Sequence, residues 1–395
     1  MAQLQFSIND TINWGEGYGD AHDGDLTISS NTTDTSANTG GLSGTIATKT
    51  ATVTSNTGFA IGDIVRLDQT RHSSNHGIWQ FNRITNISGT TITFQYDLVI
   101  SFNSTGDNDA QMYECKQYAN VTIDSTKTFT GQAYDRSTGK GGIFWFFVAG
   151  QFINNGIVNV NSKGFIGGAG GNAGVFGGLQ GDSYKNNGTD SEGVSANEGG
   201  GGRGDGTADS DGAGGGAGGG YNGNGGAGSN GGGGSPGIGG NAGISHGDTT
   251  LVLSYLGSGG GGGGYDQPGT NNGGAGGRGA GIFGFCAAYA DISSGQINSV
   301  GANGGNGTNF SGAGGGGTGG TVFGKAEILI IGTDKINFAG GTKGTGSTGG
   351  NGGDGAKGRC RFEYGSSLSG TITNGVTAQD KLLTVTQGGL LLALL

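Results

Sequence analysis

The sequence predicts an all-β protein in which short β-strands alternate with glycine-rich segments that pack into a bundle. Glycine accounts for 99 of the 395 residues, whereas proline occurs only twice. The glycines recur at every third residue over long runs, as from Gly225 to Gly243 and from Gly346 to Gly358. Apolar, strand-like segments of one common pattern return between these runs, which is typical of stacked repeats.

A glycine period of three matches neither the α-helix nor the β-strand, but it matches polyproline II, which has three residues per turn. When one edge of such a helix is all glycine, neighbouring backbones approach closely enough to form hydrogen bonds. Collagen is excluded because it needs abundant proline and an unbroken register. Disorder is the competing interpretation, but the periodic runs and the interleaved apolar segments favour order. Order is least expected around Asp205 to Asp211.

Residues 1–45 are predicted to form an N-terminal arm and linker. Leu4 to Ile8 alternates between apolar and polar residues as a strand does, and the stretch from Thr32 to Gly44 has linker composition. Asp20, His22, Asp23 and Asp25 lie close together, as in a calcium loop, but the spacing of an EF-hand is absent. A solvated turn is the favoured interpretation.

Residues 46–118 are predicted to form a small β domain. Four segments have strand composition and are separated by turn residues: Ile46–Thr54, Ile64–Gln69, Gly77–Ile87 and Thr91–Ser101. The expected core comprises nine apolar residues: Phe59, Ile64, Leu67, Ile78, Phe81, Ile84, Ile92, Phe94 and Leu98. His72 and His76 lie in a loop without an adjacent carboxylate, so no metal site is predicted there.

Residues 119–365 are predicted to combine a β-solenoid-like repeat with the glycine-rich polyproline II bundle. Short strands are expected at Val121–Ile123 and Thr128–Ala133. The repeated unit is a strand, a small turn, a second strand and a glycine run. Its copies begin at Gly142, Gly281 and Thr321, with a weaker copy at Arg359, and Thr250–Leu256 is predicted to be a further strand. The glycine runs are insertions of unequal length between these strands.

Residues 366–395 are predicted to form a C-terminal β segment that ends in an apolar tail. Six apolar residues are too few to cross a bilayer, and an exposed tail of this composition would favour aggregation. We therefore expect the tail to lie in an interface, either between copies of this chain or with another assembly protein. The residues expected there are Leu390, Leu391, Leu392, Leu394 and Leu395.

Charge and composition exclude several classes of function. The net charge of −10 and the lack of basic clusters argue against nucleic-acid binding. The sequence starts without the pattern of a classical signal peptide, and no apolar run is long enough for membrane insertion. Cys115, Cys286 and Cys360 are too widely spaced for a zinc site, so buried thiols are expected. No enzyme, cofactor or catalytic residue is predicted, because acidic residues in the repeat strands are isolated.

These features resemble the glycine-rich adhesins of phage tail fibres. The resemblance lies in the glycine islands of residues 120–365, preceded by strand residues such as Gly62-Asp63, Trp79-Gln80 and Thr90 to Phe94. It implies a structural virion or extracellular protein that attaches through residues 1–118. It also implies that loops of the glycine bundle contact a glycan or an outer-membrane protein of the host. Three aromatic residues, Tyr184, Tyr221 and Tyr265, are then expected at such loops. The alternative is that they lie on a solvated surface and have no part in binding.

Two other functions are compatible with the composition. A self-assembling extracellular filament or matrix protein could join its subunits through the apolar C-terminal tail. An ice-binding protein would need regular ranks of Thr or Ala on one face, and the residues between the glycines here are irregular mixtures. Oligomeric state separates the fibre component from the filament, because a fibre component is a closed trimer or a monomer and a filament is an open helical polymer.

Overall fold

The protein is all-β, as predicted from the sequence. The computed structural model describes residues 17–173, 177–188, 198–207, 211–266, 272–372 and 377–381. Over these residues it contains twenty strands, numbered β1 to β20 along the chain, and no α-helix, and thus no helix that could cross a membrane. The predictions made for Leu4 to Ile8 and for the tail from Leu390 to Leu395 lie outside the described residues.

The first sheet is antiparallel and is built almost entirely from the predicted small β domain. Its strand order is β3-β9-β6-β7-β8-β5-β4. The strands are β3 (Asn38–Thr39), β4 (Ser43–Gly44), β5 (Thr50–Thr52), β6 (Ile64–Arg71), β7 (Trp79–Ser88), β8 (Thr91–Phe94) and β9 (Asp109–Glu114). All four predicted strands occur, two of them shortened, whereas β9 was not predicted. Eight of the nine predicted core residues are buried, and Ile78 is half-buried.

Two further sheets are parallel, and the repeated units build them. The larger contains β1 (Leu26–Ile28), β10 (Lys116–Tyr118), β11 (Val121–Ile123), β13 (Ile143–Asn154), β15 (Ile282–Asp291), β17 (Thr321–Thr333), β19 (Arg359–Thr371) and β20 (Thr377–Lys381). The smaller contains β2 (Thr32–Thr33), β12 (Thr128–Thr130), β14 (Ile157–Asn159), β16 (Gln296–Asn298) and β18 (Ile336–Asn337). Each of the three full copies of the unit therefore places one strand in each sheet.

The first two copies pair in the register of the sequence repeat, whereas the third copy is shifted by one residue from its predicted start. Ile143 of β13 pairs with Ile282 of β15, which pairs with Thr321 of β17, which in turn pairs with Arg359 of β19. In the smaller sheet Ile157 pairs with Gln296. Equivalent residues of the first two copies therefore lie side by side, whereas Thr321, the predicted start of the third copy, lies opposite Ile282 and not opposite Gly281.

The larger parallel sheet is buried on both faces, because successive side chains of a strand point to opposite sides. Along β13, Phe144 and Phe146 pack into a core shared with the smaller parallel sheet. Trp145 and Phe147 pack into a second core, shared with the antiparallel sheet. The continuous apolar run from Ile143 to Val148 is typical of a strand in this position.

The glycine segments form a bundle held by backbone hydrogen bonds. Three inner segments, residues 212–220, 257–266 and 311–320, are buried along their length. Successive amides of an inner segment point to three different neighbours, and the pattern repeats after three residues. Over distances of 2.8 to 2.9 Å, the amides from Gly259 to Gly264 donate in turn to the carbonyls of Asp182, Gly277, Ala217, Leu179, Gly274 and Gly214.

The outer segments surround the three inner ones as a closed ring. Backbone hydrogen bonds link each outer segment to the next around this ring. Within the described residues, these segments are, in ring order, 164–171, 177–182, 199–205, 237–244, 225–231, 348–358, 339–346, 301–307 and 272–281. Packing of this kind depends on glycine, because backbones must approach each other directly.

One predicted strand is absent. Residues 250–256 form no β-ladder, although Leu251, Tyr255 and Leu256 are buried as a strand of the core would be. The segment instead passes between the antiparallel sheet and the bundle: Ser254 donates to the carbonyl of Gly77, and Gly257 to that of Ala280. Its apolar side chains fill this junction, so the composition of the segment reflects burial rather than strand pairing.

Candidate recognition surface

The glycine segments give the molecule two distinct ends. Segments 164–171, 301–307 and 339–346 follow closely after β14, β16 and β18, and so they run away from the sheets. Segments 272–281, 311–320 and 348–358 run back and end where β15, β17 and β19 begin. The turns that join outgoing to returning segments therefore lie far from the sheets, at what we call the distal end.

Several distal turns adjoin one another and form one surface. Gly232 donates to the carbonyl of Thr348 at 3.0 Å, and Thr348 donates to the carbonyl of Asn309 at 3.0 Å. The turns at residues 232–236, 308–310 and 347–348 are thereby held side by side. Their outward groups include the exposed Thr308, Ser235 and Thr348. Ile238, beside these turns, is 52% exposed.

A half-buried carboxylate organises part of this surface. The carboxylate of Asp211 accepts hydrogen bonds from the backbone amides of Gly234, at 2.9 Å, and of Ser235, at 2.5 Å. Thr207 donates its hydroxyl to the carbonyl of Asp211 at 2.6 Å. One carboxylate therefore ties two neighbouring turns together, since amides at a turn have no partner in a regular ladder. The distal surface is thus shaped by its backbone and presents mostly small polar groups.

The three tyrosines expected at exposed loops are not exposed, and that prediction is wrong. Tyr184 and Tyr265 are each 5% exposed, and Tyr221 is fully buried. Tyr265 lies near the distal end of an inner segment. Tyr184 and Tyr221 lie at the opposite end, where the bundle meets the sheets. In a chain with few apolar residues, large aromatic rings are the groups best able to fill such a junction.

The junction contains an aromatic cluster of His76, Tyr184, Tyr221, His246 and Tyr255. The ring of Tyr184 lies 4.4 Å from that of His76 and 4.2 Å from that of His246, centroid to centroid. The Tyr221 hydroxyl shares a hydrogen bond of 2.6 Å with the Thr321 hydroxyl. Burial raises the pKa of Tyr184 and that of Tyr221 to about 12. These tyrosines are therefore neutral packing residues that join the bundle to the sheets.

The histidines of the cluster are held neutral by their surroundings. Burial, together with the neighbouring Arg359 guanidinium, lowers the pKa of His246 to about 3. Burial also lowers the pKa of His76, whose Nδ1 shares a hydrogen bond of 3.1 Å with the Tyr255 hydroxyl. Protonation of either imidazole would place a charge among aromatic rings, which is unfavourable.

The other candidate positions have local structural partners. His72 Nδ1 accepts hydrogen bonds from the amides of Ser74 and Asn75. His22 contacts Asp20 at 2.6 Å in the acidic turn near the N-terminus. Across the residues that the structure describes, no group of three metal-ligating side chains comes together. The three cysteine thiols are buried, as predicted: Cys115, Cys286 and Cys360.

The residues of the distal surface were not identified from the sequence as candidate sites. Asn309 and Asp211 each lie between glycine runs, and Ser235-Pro236 follows four glycines. Such interruptions mark turns. The position of a residue at an interruption of a glycine run is therefore the sequence feature that indicates the distal surface, and aromatic character is not.

Comparisons with known proteins give little similarity. No protein-family model and no curated protein matches the chain. Among solved structures, the tailspike protein of Pseudomonas phage LKA1 is 9% identical with a TM-score of 0.21, over 90% of this chain and 47% of that one. A tailspike of Acinetobacter baumannii bacteriophage AP22, solved with a capsular saccharide, is 8% identical with a TM-score of 0.20, over 90% of this chain and 61% of that one.

A third similar structure is the tailspike of Pseudomonas phage phi297, at 9% identity and a TM-score of 0.19, over 92% of this chain and 53% of that one. The chain thus spans about half to three-fifths of the length of these tailspikes. At such identities and TM-scores the likeness carries no argument about what this chain binds.

Proposed function

We propose that this chain is an adhesin of the phage tail-fibre type, a structural virion component that recognises a host surface through the distal end of its glycine bundle. The observation that carries the proposal is the position of the distal turns. They project together, away from the sheets, on a bundle held by backbone hydrogen bonds. Binding residues are often found on loops that a rigid scaffold positions.

The architecture supports a division of roles between the two ends. The antiparallel sheet packs on one face of the larger parallel sheet. Both sheets lie at the end of the bundle that is opposite the distal turns. An attachment role for residues 1–118 leaves the distal surface free to face outward. The host component is a surface glycan or an outer-membrane protein, and the polar groups of the distal surface are compatible with either.

The proposal includes a finer description of the fold. We infer that the glycine segments are polyproline II helices and that the two parallel sheets form a short β-solenoid. The three-residue period of the hydrogen bonds supports the first inference. The parallel pairing of successive repeat copies in both sheets supports the second.

A binding assay with two arginine triple variants tests the function. Thr308, Ser235 and Thr348 are replaced by arginine at the distal surface. A matched control replaces the exposed Ala227, Asn241 and Ala275 on the flanks of the bundle. Labelled proteins are incubated with intact Gram-negative cells of several genera, and with purified lipopolysaccharide or outer-membrane vesicles from a strain that binds.

We expect the distal variant to lose at least tenfold in cell binding at an unchanged melting temperature, while the flank variant binds like the parent. Equal binding by the two variants would overturn the assignment of the distal surface. Failure of the parent to bind any cell in a broad panel would count against the adhesin function itself.

A filament-forming protein is the second candidate. The larger parallel sheet ends at β1 and at β20, so the described residues leave strand edges at both ends of the sheet to which another copy could add. Electron microscopy of the purified protein, with and without residues 388–395, separates the two functions. Discrete particles in both samples favour the adhesin, whereas long filaments that vanish on deletion favour the filament.

A further inference from the structure

A polar cleft lies far from the distal surface, between the antiparallel sheet and the turn that precedes β13. It has a volume of about 470 Å³, within the usual range of small-ligand sites. Its walls come from the loop at residues 104–109, the turn at residues 136–140, and the chain around Gly40 and Ser55. The cleft is separate from the proposed recognition turns, so its function does not depend on theirs.

The lining of the cleft is unusual in its chemistry. Among the described residues that line it, every side chain is polar or charged, and the remaining positions are glycines. Hydroxyl groups come from Thr39, Thr54, Ser55, Ser137 and others. An apolar ligand would gain nothing there, whereas a polyhydroxylated ligand would meet both donors and acceptors. A saccharide is the class of molecule that fits such a lining.

Charge further restricts the ligand. Arg71, Arg136 and Lys140 line the cleft together with two carboxylates, Asp107 and Asp109. No aromatic ring is among the lining residues, so a neutral sugar would lack a surface on which to stack. Cationic groups instead bind anionic oxygens through charge-assisted hydrogen bonds. Arg136 is neutralised by Asp182 and Arg71 is paired with Asp109, whereas Lys140 forms no ion pair within 4 Å among the described residues. The Lys140 ammonium therefore favours a saccharide with a negative substituent.

Arg71 is the group whose bonding is incomplete. Its side chain is 3% exposed, and its Nη2 pairs with Asp109 at 2.5 Å. The Tyr134 hydroxyl also donates to Asp109, which fixes this carboxylate. Within the described residues, Nε and Nη1 of Arg71 have no hydrogen-bond partner. Unsatisfied donors of a buried guanidinium are costly, so an acceptor from a bound ligand is expected to be stabilising.

The turn beside Arg71 is rigid. Asp135 accepts hydrogen bonds from the amide of Ser137, at 2.9 Å, and from the hydroxyl of Thr138, at 3.0 Å. Gly139 has a φ of 64°, and a Cβ there would contact the Asp109 carboxylate at 2.6 Å. Arg136 is held by a bidentate pair with the buried Asp182 at 2.8 and 2.5 Å. The lining is therefore preorganised, which reduces the cost of binding.

We propose that this cleft binds a saccharide that carries a carboxylate, with Arg71 and Lys140 facing the carboxylate and the hydroxyl-rich wall facing the sugar ring. The site would give the molecule a contact with acidic polysaccharide that is distinct from the distal surface. A polymer that presents many such residues would gain avidity wherever several copies of the chain bind it.

The test uses isothermal titration calorimetry of the full chain with trigalacturonate, with the neutral trisaccharide maltotriose and with inorganic phosphate. We expect trigalacturonate to bind at least tenfold more tightly than either of the other two. Maltotriose binding as tightly would overturn the role of the carboxylate. Phosphate binding as tightly would show a simple anion site and overturn the saccharide assignment.

Two variants locate the binding. Lys140→Gln removes one half-buried cation, and the double variant Arg71→Gln/Asp109→Asn removes both members of the buried pair, so that neither charge is left alone. Each should weaken trigalacturonate binding at least fivefold, whereas the control Lys343→Gln on the bundle should not. Unchanged binding by Lys140→Gln and by a folded double variant would overturn the site. The arginine triple variant of the distal turns should still bind trigalacturonate, which separates this proposal from the cell-binding function.

Discussion

Glycine is required at inner positions of the bundle because another backbone occupies the space of a side chain. A Cβ at Gly261 would overlap the carbonyl oxygen of Gly202, and one at Gly216 would overlap that of Gly261. A Cβ at Gly315 would overlap the carbonyl oxygen of Ala217. Backbone atoms in a bonded lattice cannot rotate away as the end of a side chain can, so each of these substitutions must push two segments apart.

Substitution of Gly261 by alanine should therefore be strongly destabilising, by about 3 kcal/mol or more. The matched control is Gly234→Ala in an exposed turn, where the nearest atom to a new Cβ is 3.9 Å away. Thermal unfolding followed by calorimetry should show a clear loss for the first variant and almost none for the second. Equal melting temperatures would show that the inner segments are not packed as described.

His246 should make stability depend on pH. An unfolded histidine titrates near pH 6.5, whereas burial lowers the pKa of His246 in the folded chain to about 3. Between these values the unfolded chain binds a proton that the folded chain does not, so stability falls as the pH falls from about 6.5 toward 3. The groups around the imidazole are Arg359, His76 and three tyrosines.

Replacement of His246 by phenylalanine should remove this dependence. The drop in melting temperature between pH 7 and pH 5 should be smaller in the variant by about 3 °C. Burial raises the pKa of Asp182 to about 6, which acts in the opposite direction, because stability from that group falls as the pH rises from about 4 to 6. Parent and variant share this term, so identical pH slopes would contradict the role of His246.

Strands and glycine segments obtain their stability in different ways. The strands bury aromatic and β-branched side chains, whereas the outer glycine segments use polar side chains to satisfy the backbone of a neighbouring segment. Asn303 accepts from the amide of Thr342 at 2.9 Å, and Asn306 from that of Thr345 at 3.0 Å. These asparagines are three residues apart, so the same period that aligns the glycines also aligns the acceptors.

Removal of the side chains of Asn303 and Asn306 together should weaken the contact between segments 301–307 and 339–346. Each lost hydrogen bond should cost about 1 kcal/mol, so the amides of Thr342 and Thr345 should exchange with solvent about fivefold faster in the double alanine variant. Hydrogen exchange measured by NMR or mass spectrometry checks this. Asn241→Ala is the control, because no hydrogen bond of its side chain occurs among the described residues. Unchanged protection in the double variant would contradict a structural role for the asparagines.

The repeated unit of the parallel sheets was predictable from the sequence, but strand β9 of the antiparallel sheet was not. The shared pattern after Gly142 and Gly281 matches the observed pairing of β13 with β15, in which Ile143 lies opposite Ile282. The third copy pairs one residue away from its predicted start, since Thr321 lies opposite Ile282. Strand β9 was missed because Asp109 and Glu114, at its ends, lie in a run that is too polar to suggest burial. Their partners, Arg71 and Ala37, are distant in the chain, and pairing of this kind cannot be inferred from local composition.

The candidate site was predictable only in part. The resemblance to glycine-rich adhesins implied that loops of the glycine bundle form a contact surface, and several of the turns do lie together at one end. Which residues occupy that end depends on the direction in which each segment runs. Tyr184 and Tyr221 were placed at the wrong end because the order of the segments around the ring is set by long-range hydrogen bonds that the repeat does not encode.

At the scale of the whole molecule, the bundle meets the antiparallel sheet and the larger parallel sheet at the junction around Tyr255. Tyr255 lies in it and is 2% exposed. Its ring packs against Gly77 of the antiparallel sheet domain, and its carbonyl accepts the hydroxyl of Thr321 in the larger parallel sheet. Stability of the bundle and of the antiparallel sheet should therefore be coupled through this residue.

Tyr255→Ala should uncouple the two regions. Loss of a buried aromatic ring should cost about 3–5 kcal/mol and leave a cavity between them. Calorimetry should then show two transitions in place of one, whereas Tyr255→Phe, which keeps the ring, should melt in a single transition close to that of the parent. A single transition in the alanine variant would show that other contacts suffice for cooperativity.

The alternation of outgoing and returning segments also has a mechanical consequence. Every segment lies along the same axis, and the hydrogen bonds that join segments run across it. A pull applied at the distal turns is therefore carried in shear by many cross-links at once, instead of opening them one after another. The bundle should therefore resist extension along its axis, although scarcely any large side chain contributes to its interior.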